Sequence, residues 1–146
     1  MSSRNNQWKL IKTVLPQHTD HAGVMWHGSY LNFLEEGRIR ALNQVGTSYS
    51  ELSKEGFEIP VISIDIKYKL AFFHGETCLL MSKFNLENKI RLNCNTLFLK
   101  PNGAIAAEAK IGLVVVRKMN ESIKLVRELP EKIKNLLLLL EEGPKS

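Results

Sequence analysis

The spacing of apolar residues changes along the chain, and each change predicts a different kind of element. From Gln7 to Leu15 apolar residues roughly alternate with lysines, and Pro16 ends the segment, so we expect a first strand there. Over residues 29–44 the spacing becomes three and four, which predicts a helix of about four turns. Ser29 is expected to cap its start and Gly46 to follow its end. The apolar and small positions of this helix are Tyr30, Phe33, Leu34, Gly37, Ala41 and Val45.

After a short helical turn predicted at 49–54, the spacing returns to two. Apolar residues alternate with polar ones from Ile62 to Leu70, which predicts a strand with one buried and one solvated face. In the last strand, alternate residues from Ile105 to Val115 are expected to face one way, and Pro130 is expected to open a final amphipathic helix at about 130–141. The remaining predicted strands and turns are 77–86, 90–99 and 104–117, with Asn88-Lys89 and Pro101-Asn102-Gly103 between them.

This order of elements predicts an α+β protein with an antiparallel sheet, because the four successive strands pair as hairpins and one long helix covers a sheet face. The 146 residues suit a single domain. Gly37 and Ala41 on the inner helix face allow a close approach to the sheet. Long strands leave unpaired edges, and pairing between subunits is a common way to cover them, so we expect an oligomer.

Composition and charge exclude several classes of protein. The net charge of +5 comes from 20 basic and 15 acidic residues, without a basic run or a helix-turn-helix, zinc-finger or RNP-like pattern, so nucleic-acid binding is not expected. Solubility is the plainest explanation of this charge, and a phosphate-bearing small molecule is another. The polar residues 1–8 give no secretion signal, and the longest apolar run, Leu136 to Leu140, is too short to span a bilayer, so we expect no membrane anchor.

The two cysteines argue against a disulfide scaffold and against a structural metal site. Cys78 and Cys94 are the only two in the chain, which has neither a CxxC pattern nor a Cys/His cluster. Cys94 shares a strand face with apolar neighbours and is expected to be a small buried hydrophobe. We therefore expect a protein of the reducing cytoplasmic compartment that binds no metal.

Candidate chemistry is concentrated in the loop between the first strand and the long helix. Residues 18–30 contain Asp20, three of the four histidines and the start of the helix, whose unpaired N–H groups suit a developing oxyanion. A carboxylate among Val24, Met25 and Trp26 can have a raised pKa and act as a base or nucleophile. This combination indicates acyl transfer or hydrolysis. Structural roles are also open, since Asp20 can form an Asx turn and the histidine before the helix can be a solvated cap.

The segment from Thr19 to Glu35, TDHAGVMWHGSYLNFLE, resembles without a gap the signature of hotdog-fold acyl-CoA thioesterases. The similarity is to the 4-hydroxybenzoyl-CoA thioesterase-like branch, including the YbgC type, and covers about residues 7–118. It implies a hotdog fold, in which an antiparallel sheet wraps around one long central helix. It also implies an acyl-CoA thioesterase that needs no cofactor, since coenzyme A is part of the substrate.

The resemblance also implies roles for individual residues. Asp20 falls on the family's catalytic carboxylate, a nucleophile or general base, and His27 on the position whose backbone N–H polarises the thioester carbonyl. The remaining substrate-binding residues that it implies, or that fit a coenzyme A ester, are Gly23, Val24, Trp26, Tyr30, Lys89 and Arg91. Lys89 and Arg91 are placed where the family often has basic groups for the nucleotide phosphates, although a solvated hairpin explains them equally well. Trp26 and Tyr30 suit an acyl pocket, and an ordinary core role competes.

Two departures from the family pattern bear on substrate preference. His18 stands where the family often has an aspartate two residues before the catalytic one. The segment from Tyr68 to Glu76, YKLAFFHGE, replaces the usual Y-x-x-P-A-x-x-G-D. Neither departure touches the position of Asp20.

Several functions remain open from the sequence. Thioester hydrolysis can be directed at acyl-CoA or at an acyl-carrier protein, and the acyl group is not fixed. A non-catalytic acyl-CoA-binding module has no need of Asp20, and a hotdog dehydratase is disfavoured because the loop lacks its His/acid arrangement. The resemblance further implies a homodimer or homotetramer with the active site between subunits.

Overall fold

A five-stranded antiparallel sheet, a long helix and a three-stranded sheet dominate the computed structural model, which describes residues 7–145. Residues 1–6, most of the polar amino-terminal segment, and residue 146 lie outside the described part. The strands are β1 (Trp8–Thr13), β2 (Phe57–Glu58), β3 (Val61–Tyr68), β4 (Thr77–Glu87), β5 (Arg91–Leu99), β6 (Ile105–Val114), β7 (Val116–Met119) and β8 (Ser122–Leu125). The helices are α1 (His27–Gln44), α2 (Tyr49–Lys54) and α3 (Glu131–Glu142). The predicted α+β class with an antiparallel sheet is confirmed.

The large sheet has the strand order β1-β4-β5-β6-β3, so β1 and β3 are its edges. Strands β4, β5 and β6 form successive hairpins at the predicted turns. Asn88 and Lys89 have φ values of 52° and 65°, the left-handed conformation that a tight hairpin turn requires, and Gly103 has φ 88°. These turns fix the register that points one face of each strand at α1.

Helix α1 lies across the buried sheet face and packs on β1 and β4. Its predicted apolar face is confirmed by Tyr30, Phe33 and Leu34, which are 2–3% exposed. The predicted start was wrong by two residues, because the helix begins at His27 without a side-chain cap. Ser29 is not the cap but is buried, and its Oγ donates a hydrogen bond to the His18 carbonyl at 2.8 Å.

The core lies between α1, α3 and the inner faces of the central strands. Phe72 and Phe98 are fully buried, and each large apolar side chain so placed contributes about 1.5–3 kcal/mol to folding. The buried hydroxyls of Ser82 and Thr96 share a hydrogen bond of 2.7 Å, which offsets the cost of removing them from water. Cys94 is 2% exposed, as expected of a small buried hydrophobe.

Strand β3 differs from its prediction. Its alternating pattern predicted one buried face, but Ile62, Ile64 and Tyr68 are 52%, 48% and 53% exposed. The reason is position, since β3 pairs only with β6 at one edge of the sheet, whereas α1 packs on β1 and β4 at the opposite end. A row of apolar side chains is therefore left uncovered along one sheet edge.

The region after β6 was only partly predicted. The strand expected at 104–117 divides at Val115 into β6 and β7, and β7 belongs to a second sheet of order β2-β7-β8. Strand β2 has two residues and the turn before β8 uses Asn120 at φ 48° without glycine, so neither left a strong signal. Ile105 is 37% exposed because a register shift at Phe98/Leu99 turns it away from the buried alanines that follow.

Helix α3 closes the core against β4. Its buried face was predicted correctly, and Leu137 and Leu140 are at most 1% exposed. Pro130 precedes the helix as its N-cap residue rather than occupying the first helical position. Trp8 Nε1 donates to the Leu140 carbonyl at 2.9 Å, which joins α3 to the first strand. Among residues 7–145, no helix is long and apolar enough to cross a membrane.

Candidate active site

The loop between β1 and α1 is held in shape by its own backbone. Thr19 and Met25 form an isolated antiparallel bridge, the Asp20 N–H donates to the Val24 carbonyl at 2.9 Å, and the Gly23 N–H donates to the Asp20 carbonyl at 3.0 Å. Gly23 has φ +83°, a conformation that side chains with a Cβ rarely adopt. Gly23 and Val24, which are predicted to bind substrate, both shape the loop that carries Asp20.

The Asp20 carboxylate combines a turn with an available oxygen. Its Oδ1 accepts hydrogen bonds from the Ala22 N–H at 2.8 Å and the Val24 N–H at 3.4 Å. These bonds form the Asx turn that the sequence left open as a structural role for Asp20. Within residues 7–145, Oδ2 makes no hydrogen bond. The expected apolar enclosure is absent from the single chain, because Asp20 is exposed. The carboxylate is thus oriented by its backbone and accessible to a reactant.

The start of α1 lies directly beyond this loop. Trp26, the N-cap residue, donates its N–H to the His18 carbonyl at 3.1 Å. The N–H groups of His27 and Gly28 make no hydrogen bond to other groups of the described chain, as usual in a first helical turn. Together with the partial positive charge of a helix amino terminus, they suit a carbonyl oxygen that gains negative charge.

Trp26 lies over the first turn of the helix, and Gly28 makes this possible. A Cβ added at Gly28 would overlap the indole, whose Cζ2 would be only 2.6 Å away. The edge of the indole also meets the His27 ring at a centroid distance of 5.1 Å. Gly28 is a site residue that was not predicted from the sequence, although a glycine at the start of a helix is a signal of close packing.

A cavity of about 380 Å³ joins these groups to the end of β3. It brings together four predicted site residues, Asp20, Trp26, His27 and Tyr30. It also adds residues that were not singled out, and the full lining is Asp20, Met25, Trp26, His27, Tyr30, Tyr68, Lys69, Leu70 and Ala71. The cavity opens at the exposed sheet edge, so β3 and the segment after it form one of its walls.

Aromatic rings dominate one part of this wall. Tyr30 meets Tyr68 edge-to-face at 4.9 Å and Phe98 at 5.0 Å. Burial raises the pKa of Tyr30 to about 12, and burial also raises the pKa of Tyr68. Both hydroxyls therefore stay protonated and uncharged at neutral pH. The core role expected of Tyr30 is confirmed, because it is 3% exposed. It also lines the cavity, and its role in an acyl pocket stays a prediction.

The structure does not bring Lys89 and Arg91 to this cavity within one chain. Arg91 donates through Nε to Asn93 Oδ1 and through Nη2 to Ser63 Oγ, both at 2.9 Å. Ser63 lies five residues before Tyr68 along β3, which is about 17 Å at ~3.3 Å per residue. Both basic residues thus belong to the opposite end of the sheet.

Thiol and metal chemistry have little support in the described part of the chain. Burial raises the pKa of the Cys78 thiol to about 12, and burial also raises that of Cys94, so neither forms a thiolate near neutral pH. Among residues 7–145, no three His, Cys, Asp or Glu side chains are grouped to hold a metal ion.

Comparisons with known proteins identify the family of the chain. The sequence profile of the Thioesterase-like superfamily matches residues 14–137. A candidate esterase of Synechocystis sp., sll0410, is 32% identical over 136 residues, which are 92% of this chain and 81% of the relative. A candidate acyl-CoA thioesterase of Bacillus subtilis, YneP, is 30% identical over 106 residues, which are 73% of this chain and 75% of the relative.

A solved structure shows the same fold. A 1,4-dihydroxy-2-naphthoyl-CoA thioesterase from Synechocystis superimposes with a TM-score of 0.81 at 18% identity, over 90% of this chain and 96% of that chain. The profile covers more than half of the chain, and the architecture agrees with the resemblance stated above. The chain therefore belongs to the Thioesterase-like superfamily and is a thioester hydrolase of the hotdog fold.

Proposed function

We propose that this protein hydrolyses acyl-CoA thioesters, with Asp20 as the nucleophile or general base and the start of α1 as the oxyanion site. The observation that carries the proposal is the cavity in which the Asp20 carboxylate and the helix amino terminus at His27 lie together. The similarity to YneP, a candidate acyl-CoA thioesterase, supports this choice of substrate class. The reaction needs no cofactor, since coenzyme A belongs to the substrate.

The proposed chemistry uses groups already oriented in the structure. The thioester carbonyl oxygen accepts hydrogen bonds from the N–H groups at His27 and Gly28, which favours attack at the carbonyl carbon. Asp20 then either removes a proton from an attacking water or attacks directly and forms a mixed anhydride that water cleaves. In both routes the C–S bond breaks, the thiolate of coenzyme A takes up a proton, and one water supplies the acid product.

The cavity wall suits an acyl group that packs against aromatic rings. Trp26, Tyr30 and Tyr68 all line it, and aromatic faces offer large apolar contact with little loss of side-chain freedom. Both tyrosine hydroxyls are protonated and add polar groups to this surface. We propose that Trp26 and Tyr30 bind the acyl group, with Tyr68 as a third member of the wall.

The uncovered edge of β3 supports a homodimer, and the association of two such dimers gives a homotetramer. Antiparallel pairing of β3 with β3 of a second copy covers its backbone groups and the exposed side chains of Ile62 and Ile64. Such pairing also sets the Ser63 end of one copy beside the Tyr68 end of the other. Arg91 and Lys89 of the second copy then approach the cavity, where they bind the nucleotide phosphates.

Thiol release from a panel of substrates tests the proposed activity. The panel contains acyl-CoA esters with short aliphatic, long-chain and aromatic acyl groups, the same groups on an acyl-carrier protein, and truncated pantetheine thioesters. Turnover of acyl-CoA in preference to the other two carriers supports the proposal. Preference for the acyl-carrier protein, or binding of acyl-CoA without thiol release, favours the two alternatives instead.

Because both cysteines are free and buried, we also propose a cytoplasmic location.

A further inference from the structure

Lys100, just beyond the end of β5, is a nearly buried ammonium group with all three donors satisfied. Its side chain is 14% exposed, and Nζ donates to both carboxylate oxygens of Glu76, at 2.9 and 3.1 Å, and to the carbonyl of Ala71. The ammonium also lies 4.6 Å from the ring centroid of Phe72. This arrangement differs from a surface ion pair, because it combines one carboxylate with a backbone group.

Glu76 connects Lys100 to the backbone of the segment 71–76. Its Oε1 accepts a second hydrogen bond, from the Phe73 N–H at 2.7 Å. The backbone of the same turn is hydrogen-bonded to Val14, the residue directly after β1. The Val14 N–H donates to the Glu76 carbonyl at 2.9 Å, and the Gly75 N–H donates to the Val14 carbonyl at 2.6 Å. The segment is therefore closed by its own side chain and attached at one side to the sheet.

The other side of this segment contacts the loop that carries Asp20. The Met25 N–H donates to the Phe72 carbonyl at 2.7 Å, and Val24 forms an isolated antiparallel bridge with Phe73. The Val24 carbonyl in turn accepts a hydrogen bond from the N–H of Asp20 at 2.9 Å. Only two backbone contacts thus separate the turn that Lys100 holds from the proposed catalytic carboxylate.

We propose that Lys100 is a positioning residue for thioester hydrolysis, because through Glu76 and the segment 71–76 it sets the place of the Asp20 loop against the helix start. The inference rests on the proposed role of Asp20. Ala71 lines the cavity and is itself a partner of Lys100, so the same contact shapes the cavity wall. The segment that departs from the family pattern in the sequence is thus the one that Lys100 holds.

Three variants test the inference. Lys100→Met keeps the length of the side chain and removes the charge and the donors, whereas Lys100→Arg restores both. Lys132→Met is the matched control, since Lys132 forms a 2.7 Å ion pair with Glu55 on the surface, where its side chain is 72% exposed. For Lys100→Met we expect kcat to fall about 10- to 100-fold, as for a catalytic group misplaced by about 1 Å, with a smaller change in KM. Lys100→Arg is expected to recover part of the loss, and Lys132→Met to keep the wild-type kcat.

Hydrogen exchange supplies a second measurement that does not depend on turnover. Well below the melting temperature, the amide of Met25 is expected to exchange faster in Lys100→Met than in the wild type, while the amides of β6 keep their protection. If Lys100→Met fails to fold, Glu76→Gln replaces it, since this change keeps the acceptor for Phe73 and removes the charge that Lys100 meets.

Two results overturn the inference. One is a variant with a lower melting temperature but wild-type kcat per folded molecule, which assigns Lys100 a structural role only. The other is unchanged exchange at Met25. Failure of the proposed function looks different, because full activity of Asp20→Asn leaves the exchange result intact and removes only its catalytic consequence.

Discussion

Gly28→Ala is expected to separate the role of the helix start from ordinary helix propensity. The added methyl group meets the Trp26 indole, whose Cζ2 must retreat from 2.6 Å to at least the 3.4 Å of an ordinary contact. Trp26 is 42% exposed, so the indole has room to move, and complete loss of its contact with the helix start returns at most about 100 Å² of apolar surface to water, a cost of up to about 2.5 kcal/mol. Alanine contributes at most about 1 kcal/mol of helix propensity in the opposite direction. The net loss of stability is therefore up to roughly 2 kcal/mol, which corresponds to a melting temperature lower by up to about 6 °C.

Gly37→Ala is the matched control within the same helix. A Cβ at Gly37 meets only Leu10 Cδ2, at 3.9 Å, which is ordinary contact. This variant is therefore expected to be more stable than the wild type by up to about 1 kcal/mol, with unchanged kinetics. The two substitutions are chemically identical, so the difference between them isolates the contact with Trp26.

Kinetics with acyl-CoA complete this test. Since Trp26 lines the cavity, we expect KM of Gly28→Ala to rise roughly 3- to 10-fold, equivalent to about 1 kcal/mol of lost contact. Differential scanning calorimetry and thiol-release assays measure both effects. The reasoning is refuted if Gly28→Ala is as stable as Gly37→Ala and has the wild-type KM.

Three further predictions concern other parts of the molecule. The hydrogen bond from Lys100 lowers the pKa of Glu76 below its ordinary 4.5, so its stabilisation is complete above pH 4.5 and lost as pH falls further. Thermal melting should thus show the wild type and Glu76→Gln converging below that pH, and a constant difference contradicts the assignment. Alanine at both Lys89 and Arg91 should raise KM for acyl-CoA about 10-fold and leave that of a pantetheine thioester unchanged; equal losses indicate a structural role. Ile64→Asp should give monomers of low activity in light scattering, and an unchanged assembly argues against β3 as the interface.

The long helix and most strands of the large sheet were predictable because their apolar spacing reflects the face that each one buries. The hairpin turns were equally readable, since Asn88 and Gly103 adopt the positive φ that such residues favour. The position of Asp20 near the helix start followed from the short loop between them. In each case local chemistry and the fold favour the same structure.

Features that depend on a residue's place in the sheet were not predictable. Alternation along β3 marks apolar residues but does not say that they lie at an edge with no helix over them. Ser29 has the side chain of a helix cap, yet its hydroxyl donates a hydrogen bond to the His18 carbonyl instead. Lys100 and Glu76 are 24 residues apart and meet only because the strands bring them together.

Asp20→Asn tests the central claim most directly. Asparagine keeps the size of the side chain and its turn-forming oxygen but removes the negative charge, so folding should be unharmed and thermal melting should show little change. With acyl-CoA at saturating concentration, thiol release by the variant should fall about 10²- to 10⁴-fold, the range of a positioned acid–base group, or further if Asp20 is the nucleophile. His27→Ala should lose less, because the backbone N–H remains. Wild-type kcat in a folded Asp20→Asn protein would contradict the mechanism and leave Asp20 as a turn residue only.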